Sequence, residues 1–308
     1  MRIVVTGGNG LVGNSIKAIV YQYPQHEFIF LTRDMCELSS LPLVISFFSR
    51  PENKFDYIIH LAAKVGGLFM NLDSNVEMFS ENIKINENIR IGPCVANPEK
   101  FIGIGLNYSD HAEETGMKPP SEPIIFIKAN SCISGPNDNV IIPKNSKKTD
   151  WEIELGIVIG KKAQYISEDK SFEYIFGYCI VNDISEREFQ IERSGQWDKG
   201  KGCDTFGPIG PYLVTKDEIK NIQDLNLELK LNGKITQKGN TNKMIFGVKH
   251  IVSYLSHFMT LNPGDIITTG TPPGVGMGRK PQVFLKAGDE MKLSIENLGE
   301  QNSKVVAV

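Results

Sequence analysis

The hydrophobic pattern of this chain changes period once, near residue 90, and no single sheet accommodates both halves. Before that point strands and helices alternate. Arg2 to Thr6 is a short β-branched strand, Gly7 to Gly13 a glycine loop, and Leu11 to Val20 has helical spacing. A strand at Phe28 to Leu31, an apolar helix at Leu41 to Phe48 and a strand at Tyr57 to Leu61 follow, which is the order of the first half of a doubly wound sheet. From Phe101 the text becomes strands divided by turn residues, as at Lys144-Asn145, Asn232-Gly233 and Pro263-Gly264-Asp265. Helical candidates there are Ser109 to Thr115, a stretch near Phe172 to Tyr174, and Val248 to Phe258. The expected organisation is an α/β fragment over 1–90 and a mainly β domain over 91–308. The boundary is the stretch Ile89 to Pro98, with its two prolines and a glycine.

Charge and cysteine content narrow the function. With 33 Lys and Arg against 36 Asp and Glu, interspersed, there is no basic stripe for nucleic acid or an anionic membrane. The five cysteines are odd in number and contain no CxxC pair, so they read as reduced thiols rather than a disulfide framework or zinc knuckle. No apolar run reaches the ~18 residues of a membrane helix, and the opening MRIVVTGG turns glycine-rich before a signal-peptide core forms. The expectation is a cytoplasmic protein.

Two constellations carry chemistry. In the first, Gly7, Gly10 and Gly13 let a strand turn sharply into a helix with backbone N–H groups facing a pyrophosphate, and Arg33 after the second strand is placed to meet a 2′-phosphate. In the second, Asp150-Trp151-Glu152-Ile153-Glu154-Leu155-Gly156 alternates strictly. Glu152 and Glu154 then share a face at roughly 6.6 to 7 Å between Cα atoms. The following run, Gly156 to Gly160, reads as buried on both faces, where unpaired carboxylates are costly. Asp183 ends a second buried run, Tyr178 to Asn182. Three hard oxygen ligands point to Mg²⁺, or to Mn²⁺ or Ca²⁺, rather than zinc. His111 and Glu114, three apart after Ser109, share a helix face, so the carboxylate can orient the imidazole as a base. The glycine-spaced strand before them, Phe101 to Tyr108, suits close approach of a ligand. From the residues alone, Lys201 and Arg187 read equally well as surface charges, and His250 and His257 as solvated or capping groups.

Residues 1–90, with HLAAKVGGLFMN at His60 to Asn71 and NIKIN at Asn82 to Asn86, resemble the start of a GDP-L-fucose synthase, an extended short-chain reductase/epimerase. That family needs a Tyr-xxx-Lys pair on one helix. The one match, Tyr212 to Lys216, lies in the β-prone, proline-led GPIGPYLVTKDE, so the reductase catalyst is missing and NADP-dependent chemistry is not expected. The segment is an incomplete Rossmann-like βαβαβ unit, at best a half site for a dinucleotide and at worst a fusion remnant without chemistry.

From about Ile91 to the C-terminus the motifs GLNYSDHAEE, FIKANSCISGPND, DWEIELGIVIG, VNDISEREFQ, QWDKGKGCDTFGPIGP and GDIITTGTPPGVG resemble the fumarylacetoacetate hydrolase family in order and spacing. The resemblance is nearest to bacterial members called ureidoglycolate lyase or 2,4-dioxo-3-deoxy-sugar-acid hydrolase. It implies a mixed β-sandwich or roll, a homodimer and a small oxo-acid substrate. It implies Glu152, Glu154 and Asp183 as metal ligands, and His111 with Glu114 as the water-activating dyad. Lys201 falls on a catalytic position, and Arg187, Gln190 and Thr271 on substrate-contacting positions. Hydrolysis of a carbon–carbon bond, a ureidoglycolate-type lyase reaction, and isomerisation or decarboxylation all remain open in such a site.

Overall fold

The computed structural model describes residues 1–61, 90–116 and 118–308. The two quoted stretches of reductase resemblance lie outside the described residues beyond Leu61. The chain divides into two compact units, Met1–Arg90 and Ile91–Val308. Among the described residues no helix is long and apolar enough to cross a membrane.

In the first unit β1 (Arg2–Thr6) lies between β2 (Glu27–Leu31) and β3 (Tyr57–His60), parallel to both. Helices α1 (Leu11–Lys17) and α2 (Leu41–Phe48) make the crossovers, α1 ending three residues short of the expected Val20, where a 3₁₀ turn takes over. Gly7 has φ +68°, and a side chain on Gly13 would strike the Gly7 carbonyl at 2.7 Å, so the glycine loop is tight for the chain's own sake. Val4, Leu31, Cys36, Leu38, Val44 and Phe47 form the small core. Arg33 is engaged with Glu37 at 2.7 Å on the surface.

Strands predominate in the second unit, in two main sheets. The six-stranded mixed sheet is built on β4 (Phe101–Gly105), β5 (Ile124–Lys128), β6 (Ile153–Ile159), β7 (Ile175–Asn182) and β8 (Ile266–Thr268). Its order is Val214–Thr215, β7, β6, β8, β4, β5. The second sheet orders Lys234–Asn240, Asn226–Leu231, Glu290–Ile295, Gly299–Ala307 and Val140–Ile142. Turn chemistry acts as the residue types dictate: Asn145, Asn232, Gly233 and Gly264 all take positive φ. Helix α3 (Ser109–Thr115) follows β4, α4 (Asp198–Lys201) is a single turn, and α5 (Val248–Ser256) buries Val248, Ile251, Val252 and Leu255. Tyr212 and Lys216 flank the Val214–Thr215 strand and share no helix.

The two glycines of β4 differ in use: Gly105 lines a cleft, as the sequence expectation has it, and both make room for neighbouring rings. Gly103 pairs with Phe126 across the β4–β5 ladder, and a Cβ on Gly103 would lie 2.1 Å from the Phe126 ring. A Cβ on Gly105 would meet Trp197 at 2.4 Å. The strand thus gives up side-chain volume to two rings that form one wall of the cleft described below. Gly103→Ala should cost about 1–3 kcal/mol by overpacking. Urea denaturation reads it, and Phe126→Leu in the same chain should recover part of the loss; an unchanged midpoint for Gly103→Ala would refute this packing account.

Candidate active site

Antiparallel pairing of β6 with β7 assembles the carboxylates. Val181 lies opposite Glu154 and Asn182 opposite Ile153, and the Asp183 N–H donates to the Glu152 carbonyl at 2.9 Å. Two sequence blocks thirty residues apart therefore converge. One oxygen from each of Glu152, Glu154 and Asp183 falls within 4.8 Å of the others, and all three residues are buried. The strict alternation expected across Trp151 to Leu155 does not separate a dry face from a wet one: Trp151, Ile153 and Leu155 are fully buried, and the glutamates are at most 6% exposed. The regular strand begins only at Ile153.

Burial on this scale demands counter-charges. Lys201 and Arg187 are core residues at 2% and 4% exposure, not surface charges. Six side chains alternate in sign along one line of ion pairs. Asp150 meets Arg187 Nε at 2.9 Å, Arg187 Nη2 meets Glu152 at 2.7 Å, and Lys201 Nζ bridges Glu152 and Asp183 at 2.6 Å each. Lys128 closes the line on the other oxygen of Asp183, also at 2.6 Å. Burial pushes the Glu152 carboxyl up, but Arg187 and Lys201 outweigh it and hold that carboxyl far below the usual range. The Lys201 ammonium is disfavoured by burial, yet Asp183 and Glu152 raise its pKa overall.

Glu154 stands outside this line. It accepts from the Thr268 hydroxyl and from the Gly270 N–H at 2.7 Å. Burial, then the charges of Asp183 and Glu152, raise its pKa well above the carboxylate range despite Lys201 and Thr268. A buried carboxyl with two anionic neighbours and, among the described residues, no ion pair of its own is what a divalent cation would relieve, and the all-oxygen donor set suits a hard ion. The residues present therefore fit such a cation.

The dyad comes from α3. His111 is 5% exposed, with Nδ1 3.1 Å from Glu114 Oε2. Burial raises the Glu114 carboxyl, but hydrogen bonds from His111 and the Gly274 N–H, with the charge of Arg279, bring it below its ordinary value. The turn leading into α3 is strained: Leu106 has φ +51°, a left-handed conformation that a leucine rarely adopts. The buried Asn107 amide holds it. Its nitrogen donates to the carbonyls of Thr269 at 2.8 Å and Phe246 at 3.0 Å, and its oxygen accepts the Phe246 N–H at 2.8 Å.

One cleft is lined by His111, Glu152, Glu154, Asp183, Arg187, Gln190, Lys201 and Thr271, so eight of the nine expected site residues face the same space. Glu114 supports His111 from outside that lining. Arg187 has an acceptor on each of its three nitrogens, Gln190 Oε1 at 3.1 Å being the third. Thr271 donates to the Ile153 carbonyl and accepts from Gln237, both at 2.8 Å. Sequence reasoning missed Lys128, Asp150, Asn107, Thr268 and the apolar walls Ile191, Trp197 and Met277. Asp150 had a signal, its place at the head of the carboxylate run; it also caps the loop behind the cleft through the N–H groups of Gly276 at 2.7 Å and Met277 at 3.0 Å.

Arg187→Met should cost about 3–5 kcal/mol, because it leaves Asp150 and Glu152 buried without their shared guanidinium. Equilibrium unfolding in urea measures it, and a loss below 1 kcal/mol would mean that this arginine does not close the line of charges.

Comparison with known proteins agrees with this geometry. Residues 100–306 match the family described as fumarylacetoacetate (FAA) hydrolase C-terminal, and residues 3–105 match the NAD dependent epimerase/dehydratase family. A Burkholderia cenocepacia (strain HI2424) protein named provisionally as a hydrolase is 62% identical over 213 residues, 69% of this chain and 76% of its own. The structure of fumarylacetoacetate hydrolase from Exiguobacterium antarcticum superposes with a TM-score of 0.64 at 38% identity, over 68% of this chain and 76% of that one. That of 5-carboxymethyl-2-hydroxymuconate delta-isomerase from Mycobacterium smegmatis gives 0.64 at 36% identity, over 72% and 83%. With an epimerase-like segment at its N-terminus, the chain belongs to the fumarylacetoacetate hydrolase family of enzymes.

Proposed function

We propose that residues 91–308 form a divalent-cation-dependent hydrolase that cleaves a carbon–carbon bond in a small 2,4-dioxo acid, an acylpyruvate or a dioxo sugar acid. The observation that carries the reading is the shared cleft: a His–Glu pair, three buried carboxylates and a lysine ammonium line or support one space. Glu152, Glu154 and Asp183 would hold the cation, of which Mg²⁺ or Mn²⁺ suits the donor set. When bound, such an ion supplies Lewis-acid polarisation of the 2-oxo-carboxylate end of the substrate.

The chain's own residues do the rest. His111 takes a proton from water while Glu114 fixes the ring and stabilises its cationic form. The hydroxide adds to the distal carbonyl, and Lys201 and Gln190 stabilise the oxyanion. When the carbon–carbon bond breaks, its electron pair leaves as an enolate, the proton held by His111 returns to carbon, and two acids depart. Arg187, three of whose five N–H groups are engaged, orients Glu152 and Gln190 and keeps two donors for the distal group of the substrate, and Thr271 contacts the substrate from the same lining.

A second reading, isomerisation or decarboxylation in the same site, is favoured by the likeness to the Mycobacterium smegmatis delta-isomerase, for such reactions need an enolate and no attacking water. A ureidoglycolate-type lyase reaction stays a third use of the same groups. The N-terminal unit we read as an incomplete Rossmann-like segment that binds a dinucleotide weakly or not at all; reduction of a 4-keto sugar nucleotide with NADPH by the purified protein would overturn that. We also read the protein as a homodimer through the C-terminal unit, which light scattering at monomer mass would refute.

The metal reading has a sign-specific test. A carboxyl whose pKa is raised on folding binds its proton more tightly in the folded state, so its ionised form opposes folding at neutral pH and is relieved as pH falls. Glu154→Gln should therefore match or exceed the unsubstituted protein in stability in chelator. Mn²⁺ should then raise the Tm of the unsubstituted protein and leave that of the variant unmoved. An equal Mn²⁺ response in both would remove Glu154 from the ligand set.

Turnover separates the reactions. His111→Ala should slow hydrolysis roughly 10²- to 10⁴-fold, with Glu114→Gln in the same direction. Mn²⁺ affinity should hold in both variants. If both keep substantial turnover on an oxo acid while Glu152→Ala does not, the isomerase or decarboxylase reading replaces the hydrolase.

A further inference from the structure

One buried cation has no part in the chemistry above. Lys128, at the end of β5, is fully buried and lies outside the cleft lining. Its ammonium donates to Asp183 Oδ1 at 2.6 Å, to the Lys201 carbonyl, and to the Ile184 carbonyl at 3.4 Å, so its three hydrogens meet three acceptors. The Phe101 ring lies 5.8 Å away. Packing alone does not call for this residue, because a well-fitted apolar side chain would fill a core position without the desolvation of an ammonium.

We propose that Lys128 is a positioning residue that sets the charge of the carboxylate site. This rests on the reading of Glu152, Glu154 and Asp183 as cation ligands. Lys128 takes one Asp183 oxygen from the core side, while Lys201 takes the other from the cleft side. Asp183 is thereby pinned between two ammonium groups, and the carbonyl of Lys201 is tied to the same Lys128 nitrogen. The lysine that stabilises the oxyanion and the aspartate that faces it are held as one rigid piece. The positive charge behind Asp183 also weakens the site's attraction for a divalent ion. Lys128 thus gives up cation affinity in exchange for a fixed Lys201.

The two consequences have opposite signs, which a merely structural role does not produce. Damage to the fold weakens cation binding and turnover together. Loss of the Lys128 charge should tighten the first and slow the second. In Lys128→Met, Mn²⁺ measured by chelator competition should bind about tenfold more tightly or better, since one unit charge near a desolvated site is worth more than 1.4 kcal/mol at an effective dielectric of about 20. The same variant should lose roughly ten- to a hundredfold in kcat with KM little changed, as expected when a reacting group is misplaced. Should the methionine variant fail to fold, Lys128→Gln removes the charge while keeping two of the three N–H donors, and the same two measurements apply. Mn²⁺ affinity that is unchanged or weaker in the folded variant overturns the proposal. Absence of Mn²⁺ binding to the unsubstituted protein overturns the ligand reading itself, a result distinct from the first.

Discussion

The line of charges from Asp150 through Arg187, Glu152, Lys201 and Asp183 to Lys128 is the constraint around which the second unit is arranged. Burying one such group unpaired costs several kcal/mol, and burying six in alternation repays much of that only if every member is in place. The members come from segments far apart in sequence: the end of β5, the approach to β6, the end of β7, the turn after it, and α4. A chain that misregisters any of these strands leaves a carboxylate or an ammonium stranded. The network adds little net stability and much uniqueness, because competing packings cannot satisfy it.

Register turns that constraint into a site. A one-residue slip between β6 and β7 would send Glu154 to the opposite side of the sheet and break the Asp183-to-Glu152 backbone bond. The β8 strand, paired with both β6 and β4, delivers Thr268 and Gly270 to Glu154. Gly270 has φ +90°, and a Cβ there would sit 2.8 Å from that of Asn107. The backbone at Gly270 and the turn at Asn107 can approach only because one residue lacks a side chain. Asn107 in turn fixes the start of α3, and with it His111. Acid and base sides of the cleft are thus tied through a single buried amide.

Legibility in the sequence followed the range of the interaction. Turns at Asn232-Gly233 and Gly264, helix α3 with its i,i+3 pair, and the two buried runs ending in carboxylates are local patterns, and the structure holds each. Lys128 was invisible, because a lysine closing an apolar strand ordinarily reaches solvent, and its three acceptors lie 55 to 73 positions away. The same holds for Asn107, whose partners are more than 130 residues distant. Arg187 was assigned to substrate through the family motif, and what no periodicity argument reaches is its pairing with Asp150 and Glu152. The glycines of β4 were legible only in part: Gly105 does line the cleft, but a gap in a strand looks the same in sequence whether a ligand or, as at Gly103, a neighbouring ring fills it.

The division of the chain fits this picture. Every residue of the cleft lies between Ile104 and Met277, and every member of the charge line between Lys128 and Lys201. Among the described residues, the cleft lining and the line of charges both fall within the second unit. The first unit is built differently. Its described core holds six buried apolar residues, and Arg33 pairs with Glu37 on the surface. A doubly wound sheet binds its nucleotide at a crevice between diverging loops, and later strands of the same sheet close around the rest of the cofactor. Among the described residues the first unit's sheet has three strands, and the second unit has a sheet order and a core of its own. Within the second unit, the balanced charges gather at one place, the carboxylate cleft.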